Sequence, residues 1–175
     1  MNIWLTIYSF LIAFVPTVIG PIFFPFLKLN FFAPYLVLIL YKKTFARTLW
    51  SAFFTGFIID LLASNTPFGF WSFNYLLSIF LLNKLKSFFF EDKFLTYPML
   101  TTLYSATSTL IYLVVTHLFF HKIQFELKWA FTDLVLYPVF DGIFCLLAFS
   151  IPLHYLSHFL ADKRRVTQSF RLNRN

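Results

Sequence analysis

The chain has 175 residues, of which 59% are hydrophobic and 12% are charged, and its formal net charge is +7. The polar side chains are too few to form the surface of a soluble protein. We therefore predict an integral membrane protein. Because apolar segments take up nearly all of the chain, no room is left for a soluble catalytic or nucleic-acid-binding domain beside them. We expect one all-α membrane domain over residues 1–160 and a basic cytoplasmic tail over residues 161–175.

Six apolar segments follow one another with short connections. They run from 3 to 26, 29 to 41, 49 to 64, 68 to 82, 94 to 120 and 130 to 159. The second segment would be only about 20 Å long as a helix, against a hydrocarbon core of about 30 Å. The sequence therefore leaves two topologies open: six transmembrane helices, or five transmembrane helices with residues 29–41 as a re-entrant segment.

Basic residues are concentrated in alternate connections and in the tail, which indicates the orientation. In both topologies the residues of the second and fourth connections share one face with the tail, and the positive-inside rule makes that face cytoplasmic. The N-terminus is cytoplasmic with six crossings and outside with five. We expect the tail to meet anionic lipids and not nucleic acid. The basic residues of the two connections are Lys42, Lys43, Arg47, Lys84, Lys86 and Lys93.

Asp60 is the ionisable residue that most needs an explanation, because it follows an apolar run in the third segment. An unpaired charge at that depth is costly, so the carboxylate needs a partner. We expect it to accept hydrogen bonds from Asn65, Thr66 or the free N–H groups that begin the next helix near Phe68. Asp60→Asn would keep most of this geometry and should be nearly silent in protein level. Gly56 lies one turn earlier on the same face, where a missing side chain lets a neighbouring backbone approach.

Two further aspartates lie in the sixth segment. Asp133 is expected near the start of the last helix, where a carboxylate suits the positive end of the helix dipole. Asp141 lies deeper, after Pro138, which frees the carbonyl of Leu134. A protonated Asp141 could donate a hydrogen bond to that carbonyl or meet polar side chains of the fifth segment, which recur at helical spacing. We expect this polar stripe to join helices and not to line a substrate path. Its members are Thr101, Ser105, Ser108, Thr109, Tyr112 and Thr116.

The sequence has no arrangement typical of a catalytic, cofactor or metal site. Asp60 and Asp141 could pair as an aspartyl-protease dyad, but no motif flanks either of them. The 4 histidines are too dispersed for a metal site, and the 4 glycines form no phosphate-binding loop. Cys145 is the only cysteine and lies in an apolar run, so packing explains it. We therefore expect no enzyme activity, no cofactor and no metal.

The stretch from Pro34 to Lys84 resembles a known family. The matching features are the Pro34-Tyr35 segment ending in Tyr41-Lys42-Lys43, then Arg47, Gly56-Phe-Ile-Ile-Asp60-Leu-Leu and Pro67-Phe-Gly69. This order is similar to that of the bacterial rod shape-determining protein MreD family. The family pattern is a basic residue entering the span, a Gly-x-x-x-Asp-Leu-Leu core and a small-residue turn ending in Leu-Gly or Phe-Gly. Elsewhere the match is in hydropathy, length and a basic C-terminus.

The resemblance implies six helices in a bundle similar to the S-components, the substrate-binding subunits of energy-coupling-factor vitamin transporters. It also implies a non-enzymatic inner-membrane scaffold of the cell-wall elongation machinery. Such a scaffold binds MreC and helps to place the RodA glycosyltransferase and a penicillin-binding transpeptidase over the MreB cytoskeleton. The structural or partner-contact candidates are Gly56, Asp60, Asn65, Pro67, Gly69, Asp133 and Asp141.

Two other classes of protein remain as alternatives. A vitamin-capturing transporter subunit of the same fold would need an outward-facing cavity with convergent polar groups, for which the sequence offers Asp133, His117 and His121. An intramembrane hydrolase would need two carboxylates that face each other across a wet cleft. A co-purified small molecule would favour the transporter, whereas co-purified MreC would favour the scaffold.

Overall fold

The computed structural model describes residues 3–23, 29–63, 66–88, 95–120 and 131–152. Within these ranges the chain is helical and contains no strand, which confirms the all-α prediction. The candidate residue Asn65 lies outside the described residues, as does the basic tail. The helices are α1 (Ile3–Phe23), α2 (Ala33–Lys42), α3 (Phe45–Leu62), α4 (Phe70–Leu85), α5 (Thr96–Phe120) and α6 (Thr132–Ser150), and a 3₁₀ turn (Lys86–Phe88) follows α4.

Four of the described helices are long and apolar enough to cross a membrane, as expected of an integral membrane protein. The other two are shorter: α2 has 10 residues and α4 has 16. At 1.5 Å per residue these helices are about 15 Å and about 24 Å long. The membrane-length stretches are Trp4–Phe23, Phe45–Leu62, Thr96–Phe119 and Thr132–Ser150.

The short helix α2 is the centre of the bundle. Every residue from Phe32 to Tyr41 is buried, and α2 packs against each of the other five helices. A helix that is apolar on all sides is stable in water-free surroundings and is typical of the interior. Pro34 is tolerated because it lies in the first turn, where a backbone N–H would have no partner within the helix. The apolar run that looked too short to cross the membrane is thus the core of the protein.

The helices α3 and α4 form an antiparallel hairpin, and α5 runs antiparallel to α4. Near one end of the bundle the Trp71 ring stacks on Tyr112, with centroids 5.6 Å apart. At the other end the Nζ of Lys86, just after α4, donates to the carbonyl of Leu40 near the end of α2, at 2.8 Å. The basic connections after α2 and α4 therefore lie at the same end of the bundle, in agreement with the face predicted from charge.

The outward faces of the helices are apolar. In α1, large side chains such as Trp4, Ile22 and Phe23 are exposed, while Phe10 on the opposite side contacts the rings of Phe32 and Tyr35. An exposed apolar face of this extent suits lipid contact, since lipid tails are as apolar as these side chains.

Two details of the helices differ from the apolar segments read in the sequence. The helix α3 begins at Phe45, before the apolar run at Leu49, because an exposed Arg47 interrupts the run but is a good helix former. In α6, turns with i→i+5 hydrogen bonds flank the segment Tyr137–Cys145; in the first, the N–H of Tyr137 bonds to the carbonyl of Thr132. The backbone hydrogen-bond pattern of α6 therefore changes directly before Pro138.

Candidate functional site

Asp60 accepts three hydrogen bonds from the first turn of α4. Its Oδ1 accepts the backbone N–H of Trp71 at 2.9 Å. Its Oδ2 accepts the backbone N–H of Ser72 at 3.0 Å and the Ser72 hydroxyl at 2.8 Å. The carboxylate is 6% exposed and has no cation among these partners. Its charge is instead stabilised by free backbone donors and the positive end of the α4 dipole. One of the three sources of donors expected from the sequence is thus confirmed.

Gly69 explains why α4 needs a cap from another helix. It is the N-cap residue of α4 and has φ +90°, a left-handed conformation that suits glycine. A glycine has no side chain with which to cap the helix, so Asp60 takes over the role usually played by an N-cap side chain. The N–H of Phe70 bonds to the carbonyl of Pro67, and the N–H of Phe73 bonds to that of Gly69. All four initial N–H groups of α4 therefore have acceptors.

Gly56 allows this cap to form, because it removes a side chain from the closest approach of α3 and α4. A β-carbon there would lie 2.5 Å from the Cα of Ser72 and 2.7 Å from both the Ser72 nitrogen and the Trp71 carbonyl oxygen. The prediction that Gly56 admits a neighbouring backbone is confirmed. We call the set Gly56, Asp60, Gly69, Trp71 and Ser72 the hairpin clamp.

Asp141 lies in a second polar cluster, which joins α4, α5 and α6 to Asn30, three residues before α2 begins. The carboxylate is 1% exposed. Its Oδ1 accepts the backbone N–H of Asn30 at 2.9 Å, and its Oδ2 accepts the hydroxyl of Ser105. The side-chain oxygen of Asn30 in turn accepts the hydroxyl of Tyr75 at 2.7 Å. We call Asn30, Tyr75, Ser105 and Asp141 the central polar cluster. Ser105, the α5 partner of Asp141, is a member of the polar stripe predicted from the sequence.

The α5–α6 contact uses the same combination of residue types as the hairpin clamp. Gly142 follows Asp141, and a β-carbon at Gly142 would collide with the Thr102 hydroxyl and would lie 3.2 Å from the Pro98 carbonyl oxygen. In each helix pair a glycine permits close approach, and a nearby aspartate accepts a serine hydroxyl from the partner helix. Close contact and interhelical hydrogen bonds are the usual means of holding membrane helices together.

Other predicted residues are not members of these two sets, although Tyr112 of the α5 stripe stacks on Trp71 of the hairpin clamp. Asp133 lies in the first turn of α6, as predicted for a helix-start residue. In the α5 stripe, the hydroxyls of Thr101 and Thr109 bond to carbonyls one turn earlier in their own helix. Thr101 is also a side-chain hydrogen-bond partner of Cys145 in α6, so this member of the stripe does join two helices. Among the described residues, no group of three or more His, Cys, Asp or Glu side chains could hold a metal ion. His121 lies outside the described residues.

Sequence reasoning missed several residues that complete the two polar sets. Ser72 had a usable signal, because a serine near a helix start is a common capping residue. Asn30 had a weaker one, as an isolated polar residue between two apolar segments. Its contact with Asp141 spans 111 positions in the chain, so no local pattern could reveal it.

The described contacts show what the two buried carboxylates do. Both oxygens of Asp60 and both oxygens of Asp141 accept hydrogen bonds from neutral donors that position helices. The contacts link Asp60 to α4 and link Asp141 to α5 and Asn30. Through these contacts the two carboxylates fix the positions of helices.

Comparison with known proteins gives no match among protein families, curated proteins or solved structures.

Proposed function

We propose that this chain is a non-enzymatic inner-membrane scaffold of the MreD type in the bacterial cell-wall elongation complex. In this role it binds MreC and helps to position RodA, a penicillin-binding transpeptidase and MreB, so that peptidoglycan is inserted where cell shape requires it. The proposal includes six membrane crossings, an S-component-like arrangement and both termini in the cytoplasm.

The hairpin clamp is the observation that carries the proposal. The residues on which the MreD resemblance depends most, Gly56, Asp60 and Gly69, act together in one joint between α3 and α4. A scaffold works by presenting a fixed surface to its partners, so it needs joints of this kind and no reactive group.

The turn before α4 is the surface that this joint fixes. Phe68 is 66% exposed, and its ring makes an edge contact with Phe57 at 5.3 Å. Directly behind it, the clamp holds the first turn of α4 by three hydrogen bonds. An exposed aromatic side chain on a held turn is a typical anchor for a protein partner. We therefore propose Phe68 and its neighbours as part of the MreC contact.

The experiment is affinity purification of the tagged full chain from native membranes, followed by mass spectrometry of the co-purified proteins. We expect MreC in the eluate, with RodA in smaller amounts. A variant in which residues 65–68 are replaced by Gly and Ser should fold normally and lose most of the MreC. Retention of MreC by this variant would exclude the turn as the contact. Absence of MreC from the wild-type eluate, with a bound small molecule instead, would contradict the scaffold proposal and favour the transporter subunit.

A further inference from the structure

Four aromatic rings form a column along the contact between α4 and α5. The Trp71 ring stacks on that of Tyr112 with centroids 5.6 Å apart, and it lies 6.1 Å from the ring of Tyr75. The Tyr75 ring in turn makes an edge contact with Tyr104 at 6.0 Å. Because Trp71 and Tyr75 belong to α4 while the other two rings belong to α5, the column joins the two helices. We call this contact the α4–α5 seam.

Three polar groups on α4 and α5 have no hydrogen-bond acceptor among the residues that the structure describes. They are the Nε1 of Trp71, the Nδ2 of Asn74 and the hydroxyl of Tyr104, and we call them the seam donors. Asn74 is 1% exposed and Tyr104 is 0% exposed. Each of the three atoms carries a hydrogen that it can donate. A buried donor without an acceptor is unfavourable in a membrane protein, since lipid cannot replace the hydrogen bond to water that the donor loses.

The seam donors lie on facing sides of the two helices. Trp71, Asn74 and Ser78 are spaced at i, i+3 and i+7, so they share one side of α4. The side-chain oxygen of Asn74 accepts the hydroxyl of Ser78 at 3.3 Å, which fixes the amide in this side of the helix. Tyr104 reaches the same side of α4 through its ring contact with Tyr75. The three donors therefore converge on the seam from two helices.

We propose that the α4–α5 seam binds ordered water, which accepts the hydrogen bonds of the seam donors. A buried water usually makes about three hydrogen bonds, as acceptor and as donor. In the seam it can donate to the hydroxyl oxygen of Tyr75, which gives its own hydrogen to Asn30 at 2.7 Å and keeps the capacity to accept. The water thus links Trp71 of the hairpin clamp to Tyr75 of the central polar cluster. This inference does not depend on the scaffold function proposed above.

Water suits the seam better than an anion, which could also accept hydrogen bonds from three donors. Asp60 accepts the backbone N–H of Trp71, and Asp141 accepts the backbone N–H of Asn30, whose side chain is the partner of Tyr75. A carboxyl group therefore lies close to the seam on each side. A carboxylate repels an anion, most strongly in surroundings of low dielectric constant. Water is neutral and is not repelled.

The test is hydroxyl-radical labelling of the purified full chain in detergent, with short X-ray pulses and mass spectrometry of the oxidised peptides. Radicals formed from a bound water oxidise the side chains beside it, even where bulk solvent does not reach. We expect Tyr104 to be oxidised several times faster than Tyr35, which is the matched control. Tyr35 is also a buried tyrosine, 6% exposed, but its side chain bonds to Ser51.

A double variant tests whether the seam donors hold the water. Asn74→Leu with Tyr104→Phe removes two of the three donors and should lower the oxidation of Trp71 several-fold. Trp50 on α3 is 64% exposed and should be oxidised at an unchanged rate. Unfolding of the variant would expose Trp71 and raise its oxidation, so a misfolded variant cannot imitate the expected fall.

Three results would overturn the proposal. The first is equal oxidation of Tyr104 and Tyr35 in the wild-type chain. The second is a higher midpoint of thermal unfolding for Tyr104→Phe alone, because removal of an unpaired buried hydroxyl stabilises a protein, whereas removal of a bonded one does not. The third is slow oxidation of Tyr104 together with a bound small molecule, detected as added mass in native mass spectrometry, which would make that molecule the acceptor.

Discussion

Gly56 and Ser72 set how closely α3 and α4 approach each other, because the β-carbon that Gly56 lacks would lie 2.5 Å from the Ser72 Cα. The contact is with backbone, which cannot rotate away as a side chain can. The same approach brings the Asp60 carboxylate within hydrogen-bond distance of two N–H groups of α4. Packing and capping therefore depend on one another in this hairpin.

Gly56→Ala should destabilise the protein by about 3 kcal/mol or more, the upper part of the range for overpacked cores, because the helices must separate and weaken the Asp60 bonds. Thermal unfolding of the purified protein in detergent measures this. The matched control is Gly20→Ala, where the added β-carbon would meet side-chain atoms of the Phe31 ring at 3.0 Å, and not backbone, and should cost much less. Equal loss of stability in both variants would contradict this role of Gly56.

Substitutions of Asp60 should form a graded series. Ser72→Ala removes only the hydroxyl donor. Asp60→Asn puts an amide N–H₂ group opposite one of the two backbone N–H donors, those of Trp71 and Ser72. Asp60→Leu leaves both backbone donors unpaired. Each buried donor without a partner costs about 1–3 kcal/mol, so stability should fall in that order. The geometry thus revises the sequence-based expectation that Asp60→Asn is nearly silent. Stability measurements that place Asp60→Asn level with wild type would show that the clamp does not need the carboxylate.

The Asn30–Tyr75 hydrogen bond can be tested by a double-mutant cycle. Asn30→Ala leaves a buried Tyr75 hydroxyl without its acceptor, while the backbone N–H at position 30 still reaches Asp141. We expect a loss of about 1–2 kcal/mol in the single variant. Adding Tyr75→Phe should recover part of the loss, with a coupling of about 1 kcal/mol. Strictly additive losses in chemical unfolding would mean that this bond contributes nothing.

Both termini should lie in the cytoplasm if the chain crosses the membrane six times. A periplasm-dependent reporter should then be inactive when it is fused at Met1 and when it is fused after Asn175. The basic connections after α2 and α4 support a shared face, since they lie at one end of the bundle. Activity of the Met1 fusion alone would establish five crossings and leave the assignment of the tail intact.

The parts of the fold that the sequence predicts are those governed by local rules. Hydropathy located the helices, and the cost of a buried charge predicted that Asp60 needs donors and that the next helix start could supply them. Its exact partners, Trp71 and Ser72, depend on how α3 and α4 meet. The central position of α2 could not be read from its length, because burial on all sides and a short crossing give the same apolar run. The contact of Asn30 with Asp141 depends on tertiary packing alone.

The scaffold proposal is tested most directly by depleting the protein in its native cell while new cell wall is labelled with a fluorescent precursor. We predict that wall insertion loses its placement and that cells become rounded, while the enzymes that make the precursor keep their activity. Re-expression of the wild-type chain should restore placement. Normal placement of wall synthesis and normal shape after full depletion would contradict the scaffold function.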